Sequence, residues 1–210
     1  MIVDLFLHLD QHLVELLARY GEWIYAILFA IIFAETGFVV TPFLPGDSLL
    51  FGAGALAAVD RSGTLRSGWL FLLMSGAAIA GNTVNYSIGR GLGQRAFSGR
   101  YRFFKVEHLL RTQQYFRRYG GMTVLLSRFM PIIRTFAPFV AGIGRMPYHR
   151  FQLFNVSGGV AWVALFVFGG FAFGNVPWVR THFSAVTLIV IALSLLPMVV
   201  VALRERLRHG

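Results

Sequence analysis

The residues best suited to chemistry in this chain are two arginines in an otherwise apolar run, Ser127 to Gly144, SRFMPIIRTFAPFVAGIG. Arg128 and Arg134 stand six residues apart, so on an unbroken helix they would point about 120° apart. Pro131 lies between them and Pro138 follows, and a break at Pro131 would let the two side chains converge. A guanidinium is a planar fork of donors that matches the oxygens of a phosphate or carboxylate, so the chemistry on offer is anion recognition. The competing reading is structural, with each arginine paired to a carboxylate or to hairpin carbonyls. An arginine at bilayer depth costs roughly 2.5–3.5 kcal/mol on insertion scales, which marks it as a functional candidate. Irregular backbone at that depth survives only inside protein or beside a water-filled cavity. Residues 122–144 therefore read as a re-entrant hairpin that presents guanidinium groups within a membrane.

Two carboxylates stand in comparable surroundings. Glu35 interrupts the apolar stretch from Gly21 to Val40. Asp47 follows a stretch broken by Pro42, Pro45 and Gly46, where it is also placed to cap a new helix. Residues 22–59 read as a first re-entrant hairpin. No other group suggests a reaction centre. The histidines at 8, 12, 108, 149, 182 and 209 have no metal-ligand spacing, and there is no cysteine. Gly89 to Gly93, GRGLG, lacks the Lys-Ser/Thr of a phosphate loop. Neither a metal nor a cofactor is expected.

The elements that must hold these groups are membrane elements. The chain has 210 residues, of which 56% are hydrophobic and 13% charged, and a mean hydropathy of +0.65. That composition belongs to a single membrane domain over 1–210. The net charge is +10, and 18 of the 19 basic residues are arginine. Such a balance usually points to nucleic acid. Its distribution here reads as topology instead, because thirteen basic residues in 90–118, 145–150 and 204–208 fall on one side under one arrangement. No nucleic-acid partner is expected. Asp4, Asp10 and Glu15 occupy the place of a basic leader region, so no signal peptide is read there.

In chain order, 1–18 reads as an interfacial amphipathic helix, 22–59 as the first hairpin and 69–90 as a span. A basic cytoplasmic segment with its own amphipathic helix covers 91–120. The second hairpin at 122–144 leads to spans at 151–174 and 183–203 and a basic tail at 204–210. Within the first span, Gly76, Ala77, Ala80 and Gly81 make small-xxx-small pairs for close packing. Arg19-Tyr20-Gly21 recurs as Arg118-Tyr119-Gly120, and Phe43-Leu44-Pro45 as Phe129-Met130-Pro131. The order amphipathic helix, broken hairpin, span is thus repeated, and one span between the copies inverts the second. The expected fold class is an all-α polytopic membrane protein with two opposed re-entrant hairpins in an inverted repeat. The C-terminus would be cytoplasmic and the N-terminus periplasmic. The alternative is that 22–40 spans fully and the N-terminus is cytoplasmic.

Several stretches together resemble the DedA family of bacterial membrane proteins, also called the VTT domain. They are Glu35, Pro42–Leu50 (PFLPGDSLL), Gly81–Gly93 (GNTVNYSIGRGLG), Ser127–Gly142 (SRFMPIIRTFAPFVAG), and Phe151, Asn155, Gly158 and Trp162. The resemblance covers about residues 20–175. It implies two opposed hairpins, a place in the inner membrane, and lipid transport, with undecaprenyl phosphate or a phospholipid such as phosphatidylethanolamine as the moving lipid. It also implies proton coupling through the acidic pair, Glu35 and Asp47. Many members have Glu where this chain has Asp47, one methylene shorter. Arg128 and Arg134 would bind the phosphate, with Asn82, Tyr86 and Asn155 as further substrate contacts. The bland reading of Gly81, Asn82, Asn85, Tyr86, Gly89 and Arg90 is helix packing, and of Asn155 an interhelical hydrogen bond.

The expected partners are therefore a membrane lipid with a phosphate headgroup and protons, with a homodimer as a compatible assembly. An intramembrane lipid-phosphate enzyme is the alternative from another class. Phosphatases of this kind need two histidines near their arginines, and only His149 lies near this hairpin in sequence. The chain reads as a transporter, not an enzyme.

Overall fold

The computed structural model describes residues 15, 17, 19–38, 46–60, 62–96, 121–128 and 131–176, and their regular structure is entirely helical. A short 3-10 turn at Gly21–Trp23 opens on Gly21, whose φ of 53° only glycine adopts freely. Then come α1 (Ile24–Gly37), α2 (Gly46–Val59), α3 (Ser67–Ala96), α4 (Met122–Ser127), α5 (Pro131–Ile143) and α6 (Tyr148–Gly174). Pro42 and Pro45, most of the 1–18 helix, the 97–120 part of the basic segment, the 183–203 span and the tail lie outside the described residues.

Two helices are long and apolar enough to cross a membrane, Ser67–Leu92 with 26 residues and Tyr148–Gly174 with 27. At about 1.5 Å per residue each exceeds the roughly 30 Å of a hydrocarbon core. By the same rise α1, α2 and α5, of 14, 14 and 13 residues, reach only about 20 Å. The burial pattern is inside-out for a water-soluble protein. On α5, Arg134 and Thr135 are buried while Ile133 and Phe136 are exposed. On α6, Asn155 is fully buried while Leu153 is 66% exposed, with Val156, Leu165 and Phe168 on the same open side. On α3, Ser75, Asn82 and Asn85 are inside, and Leu72, Ile88 and Leu92 are outside. Water would penalise such exposed apolar stripes, whereas lipid tails solvate them.

The chain divides into two compact units. The first takes Met1–Ile32, Phe43–Ala77 and Val160–Gly210; the second takes Phe33–Pro42 and Ala78–Gly159. Each is held by a seam of glycines. In the first, a Cβ on Gly54 of α2 would collide with the Val167 carbonyl of α6, and one on Gly170 with the Phe51 carbonyl. In the second, a Cβ on Gly142 of α5 would collide with the Tyr86 carbonyl of α3, and one on Gly89 with the Phe139 carbonyl. Both seams are reciprocal, and both use the same tetrapeptide pattern, Phe51-Gly-Ala-Gly54 and Phe139-Val-Ala-Gly142. Backbones approach this closely only where side chains are missing, and in lipid this packing replaces the hydrophobic drive.

The small-xxx-small reading of α3 holds at one end only. Gly81 lies against the Phe33 carbonyl and the Gly37 nitrogen of α1, but Gly76 faces open space.

Local chemistry fixes the turns. After α2, Asp60 accepts from the Leu65 amide (2.8 Å), the Ser62 amide (2.9 Å) and the Ser62 hydroxyl (2.6 Å). Tyr25 of α1 pins the same loop, donating to the Thr64 carbonyl (3.0 Å) and accepting from the Arg66 amide (2.7 Å). After α5, the Met146 amide donates to the Ala141 carbonyl (3.0 Å) and the Arg145 amide to the Gly142 carbonyl (3.1 Å). This is a Schellman end, with Arg145 at φ 53° where glycine is usual.

Candidate functional site

The second unit buries most of the polar groups singled out in the sequence. Arg128 follows α4 directly, in a helical turn, and is only 4% exposed. Pro131 begins α5, so the two helices are separate and each arginine is held by its own segment. Arg134 lies one turn into α5. Pro138 lies inside that helix without ending it. Proline has no N–H to give, so the Arg134 carbonyl lacks its usual helical donor.

The two guanidiniums have different partners. Arg134 Nη2 donates to Glu35 Oε1 of α1 in an ion pair, with Glu35 fully buried. Buried pairs of this kind are costly to break, because the survivor is an uncompensated charge. Arg128 meets no carboxylate among the described residues. Its Nη2 donates to the Asn155 side-chain oxygen (2.6 Å) and to the Asn155 carbonyl (3.2 Å) of α6. Its Nε is buried without a hydrogen-bond partner among the described residues. The like charge of Arg134 acts on it across the unit. Among the described residues, Arg128 and Arg134 thus face one buried carboxylate, Glu35.

Amides hold the cluster in place. Asn155 donates to the Ile79 carbonyl (3.1 Å), Gln152 Oε1 (3.1 Å) and Thr83 Oγ1 (3.3 Å). Asn82 lies 3.1 Å from Asn155 Oδ1. With its oxygen turned to the guanidinium it accepts from Arg128 Nη2 at 2.8 Å and donates to the Thr36 carbonyl at 3.3 Å. Asn85 donates to the Thr36 carbonyl of α1 (3.1 Å) and the Thr135 carbonyl of α5 (2.7 Å), bracing the two segments that carry the ion pair. Gln152 continues the polar line outward, donating to Thr83 Oγ1 (2.7 Å) and the half-exposed Tyr148 hydroxyl (2.8 Å).

Tyr86 is placed differently from these amides. It is buried in an apolar cluster with Val124, Ala141, Met146 and Phe151, and stacks on Phe151 at 4.3 Å between centroids. Its hydroxyl donates to the Met146 carbonyl and accepts from Arg90 Nη1 (3.2 Å).

Asp47 belongs to the first unit and Glu35 to the second. It lies in the first turn of α2, which begins at the buried Gly46. There a carboxylate suits the helix dipole. Its Oδ1 accepts from Trp162 Nε1 of α6 at 2.9 Å. The sequence marks Trp162 only through the family resemblance, since nothing in a pair 115 positions apart announces a hydrogen bond.

Gln152 and Thr83 were not singled out in the sequence. The available signal for Gln152 was its helical spacing from Asn155, which puts the two one turn apart on α6; Thr83, next to Asn82 in sequence, carried none. Among the described residues, no group of three or more His, Asp or Glu could hold a metal ion. An open groove of about 570 Å³ in the first unit, lined by Glu22, Trp23, Tyr25, Ala26, Phe29 and Leu73, includes none of the clustered groups.

Comparison with known proteins agrees with this membrane reading. The model of the VTT domain matches residues 44–172. Protein DedA of Escherichia coli K12 is 48% identical over 206 residues, covering 98% of this chain and 94% of that protein. A Mycobacterium tuberculosis protein described as an uncharacterized membrane protein is 38% identical over 186 residues, 88% of this chain and 81% of the relative. The inner membrane protein YghB of Escherichia coli K12 is 34% identical over 174 residues, 82% of this chain and 75% of the relative. No solved structure matches the chain.

Proposed function

The chain belongs to the DedA family of VTT-domain membrane proteins, and from that premise we propose that it is a lipid transporter of the bacterial inner membrane. The cargo is a lipid with a phosphate headgroup, such as undecaprenyl phosphate, and the protein moves it without chemical change. One observation carries this reading. Arg128 is a buried cation with amides around it and no carboxylate partner among the described residues. An uncompensated guanidinium in a low-dielectric setting favours an anion strongly, and its fork suits phosphate oxygens. Arg134 joins it by exchanging Glu35 for the headgroup during the cycle. Asn82 and Asn155 serve the site by holding Arg128 in place for the headgroup, while Tyr86 supports the cluster from the apolar core.

Glu35 is the proton-coupling group. When the phosphate takes Arg134, the released carboxylate loses its counter-charge and is driven to bind a proton. Asp47, held by Trp162, is the second member of the pair. The short helices α1, α2 and α5 support two re-entrant hairpins, and the matching glycine seams support an inverted repeat of hairpin arm against span. The distribution of basic residues favours a cytoplasmic C-terminus and, with it, a periplasmic N-terminus. A homodimer is compatible with this arrangement.

The test is reconstitution into vesicles with a labelled polyprenyl phosphate and an imposed pH gradient. A transporter moves the headgroup intact, whereas an enzyme releases phosphate. Movement of labelled phosphatidylethanolamine instead would make it a phospholipid translocase. Glu35→Gln is expected to lose the dependence on the gradient. If that variant stays fully coupled, Glu35 has no part in proton transfer.

A further inference from the structure

Arg128 is held by two amides where one carboxylate would have made a buried ion pair. Asn155 Oδ1 accepts from its Nη2 at 2.6 Å, and Asn82 stands 2.8 Å from the same nitrogen. Both asparagines are buried, Asn155 completely and Asn82 to within 3%. An aspartate in place of Asn82 differs by one group of similar size and would neutralise the guanidinium. The same unit uses that solution for Arg134, which has Glu35. The difference between the two arginines is therefore one of charge, not of space.

The surroundings of Asn155 also select its orientation. Its Nδ2 faces three acceptors, the Ile79 carbonyl, Thr83 Oγ1 and Gln152 Oε1. Only an N–H satisfies the Ile79 carbonyl, so the amide oxygen is turned toward Arg128. Arg128 gains fixed acceptors and keeps its full charge.

We propose that Asn82 and Asn155 are positioning residues that fix the Arg128 guanidinium through neutral amides, so that its charge stays uncompensated for a phosphate-bearing ligand. This rests on the reading of Arg128 as the anion contact. The chemistry recognised is a terminal phosphate anion, which either a lipid headgroup or free phosphate could supply. On this account the amides set the affinity of the site without themselves supplying its charge. A carboxylate at either position would act as a built-in competitor of the ligand.

The experiment measures binding of farnesyl phosphate and of inorganic phosphate to the purified full chain in detergent, with farnesol as the uncharged control, alongside melting temperature. The variants are Asn82→Asp, Asn82→Ala, Asn155→Asp and Arg128→Gln. Asn82→Asp should bind the phosphate probe about ten- to a hundredfold more weakly, the range of one charge-assisted hydrogen bond. Its melting temperature should equal or exceed that of wild type, because a buried cation gains a partner. Asn82→Ala should melt lower yet lose less affinity, since it removes an acceptor and adds no charge. Asn155→Asp should lose affinity to a similar degree. A merely structural role would rank the variants by melting temperature alone. The probe that wild type binds separates a lipid headgroup from free phosphate.

If Asn82→Asp fails to fold, melts below Asn82→Ala, or binds like wild type while Arg128→Gln has lost binding, this inference is overturned and the reading of Arg128 survives. If Arg128→Gln binds like wild type, or wild type binds neither phosphate, the reading of Arg128 fails and the inference fails with it.

Discussion

At the residue scale, the two arginines differ in what they lose. Arg134 and Glu35 are a buried pair, so removing one partner strands the other. Arg134→Gln should lower stability by about 3–5 kcal/mol, the usual cost of breaking such a pair. Arg128→Gln removes a charge that has only amide partners among the described residues, and a neutral amide can still bond Asn155. Its stability should stay within about 1 kcal/mol of wild type while phosphate binding is lost. Denaturation of the two variants in one detergent checks this, and equal losses would refute the asymmetry. The sequence makes the four charged groups legible because charges are rare in apolar runs. It does not make the pairing legible. Glu35 lies 99 positions from Arg134, and no spacing rule links them. Nor does it show that Asp47 and Glu35 are assigned to different units.

At the element scale, the glycine seams make a prediction in pairs. Gly54→Ala and Gly142→Ala each drive a methyl into a carbonyl of the facing helix. Backbone cannot yield as a side-chain tip can, so each should cost about 1–3 kcal/mol and lower the melting temperature by similar amounts. Gly76→Ala meets nothing within 4 Å and should be neutral or slightly stabilising. If Gly142→Ala melts like wild type, the seam is not close-packed. The loop after α2 gives a pH prediction. The Leu65 amide and then the Ser62 hydroxyl hold the Asp60 carboxyl below the usual carboxylate range. A lowered folded-state pKa gives stability that is present above the unfolded value, about 3.9, and lost as pH falls through the folded one. Asp60→Asn should give up that small contribution at neutral pH and so remove the further loss on the acid side. The effect is small because the group is only partly buried and solvent screens it. An unchanged acid transition would show that this turn does not report on folding. The long apolar helices were legible: 69–90 and 151–174 in the sequence fall within Ser67–Ala96 and Tyr148–Gly174. Long apolar runs have few alternatives. The seams were only half legible, because small-xxx-small spacing marks a smooth face without naming its neighbour, as Gly76 and Gly81 illustrate.

At the scale of the whole molecule, family membership was legible from motifs spread over most of the chain, and the all-helical membrane character from composition. The repeat of Phe51-Gly-Ala-Gly54 in Phe139-Val-Ala-Gly142 was not, since three shared letters mean little until both are seen under a facing carbonyl. The topology we propose predicts that Ser62→Cys reacts with an impermeant thiol reagent only from outside and Arg100→Cys only from the cytoplasm. Labelling of both from one side would overturn it. The central claim is that a buried, uncompensated Arg128 receives the phosphate of a lipid in transit. Its most direct test is the rate at which vesicles carrying wild type or Arg128→Lys move a labelled polyprenyl phosphate. Lysine keeps the charge but loses the planar fork and is more strongly hydrated. The lysine protein should insert normally, melt like wild type and move the lipid at least about tenfold more slowly. Wild-type transport by the lysine variant would contradict bidentate recognition and return Arg128 to a scaffolding role.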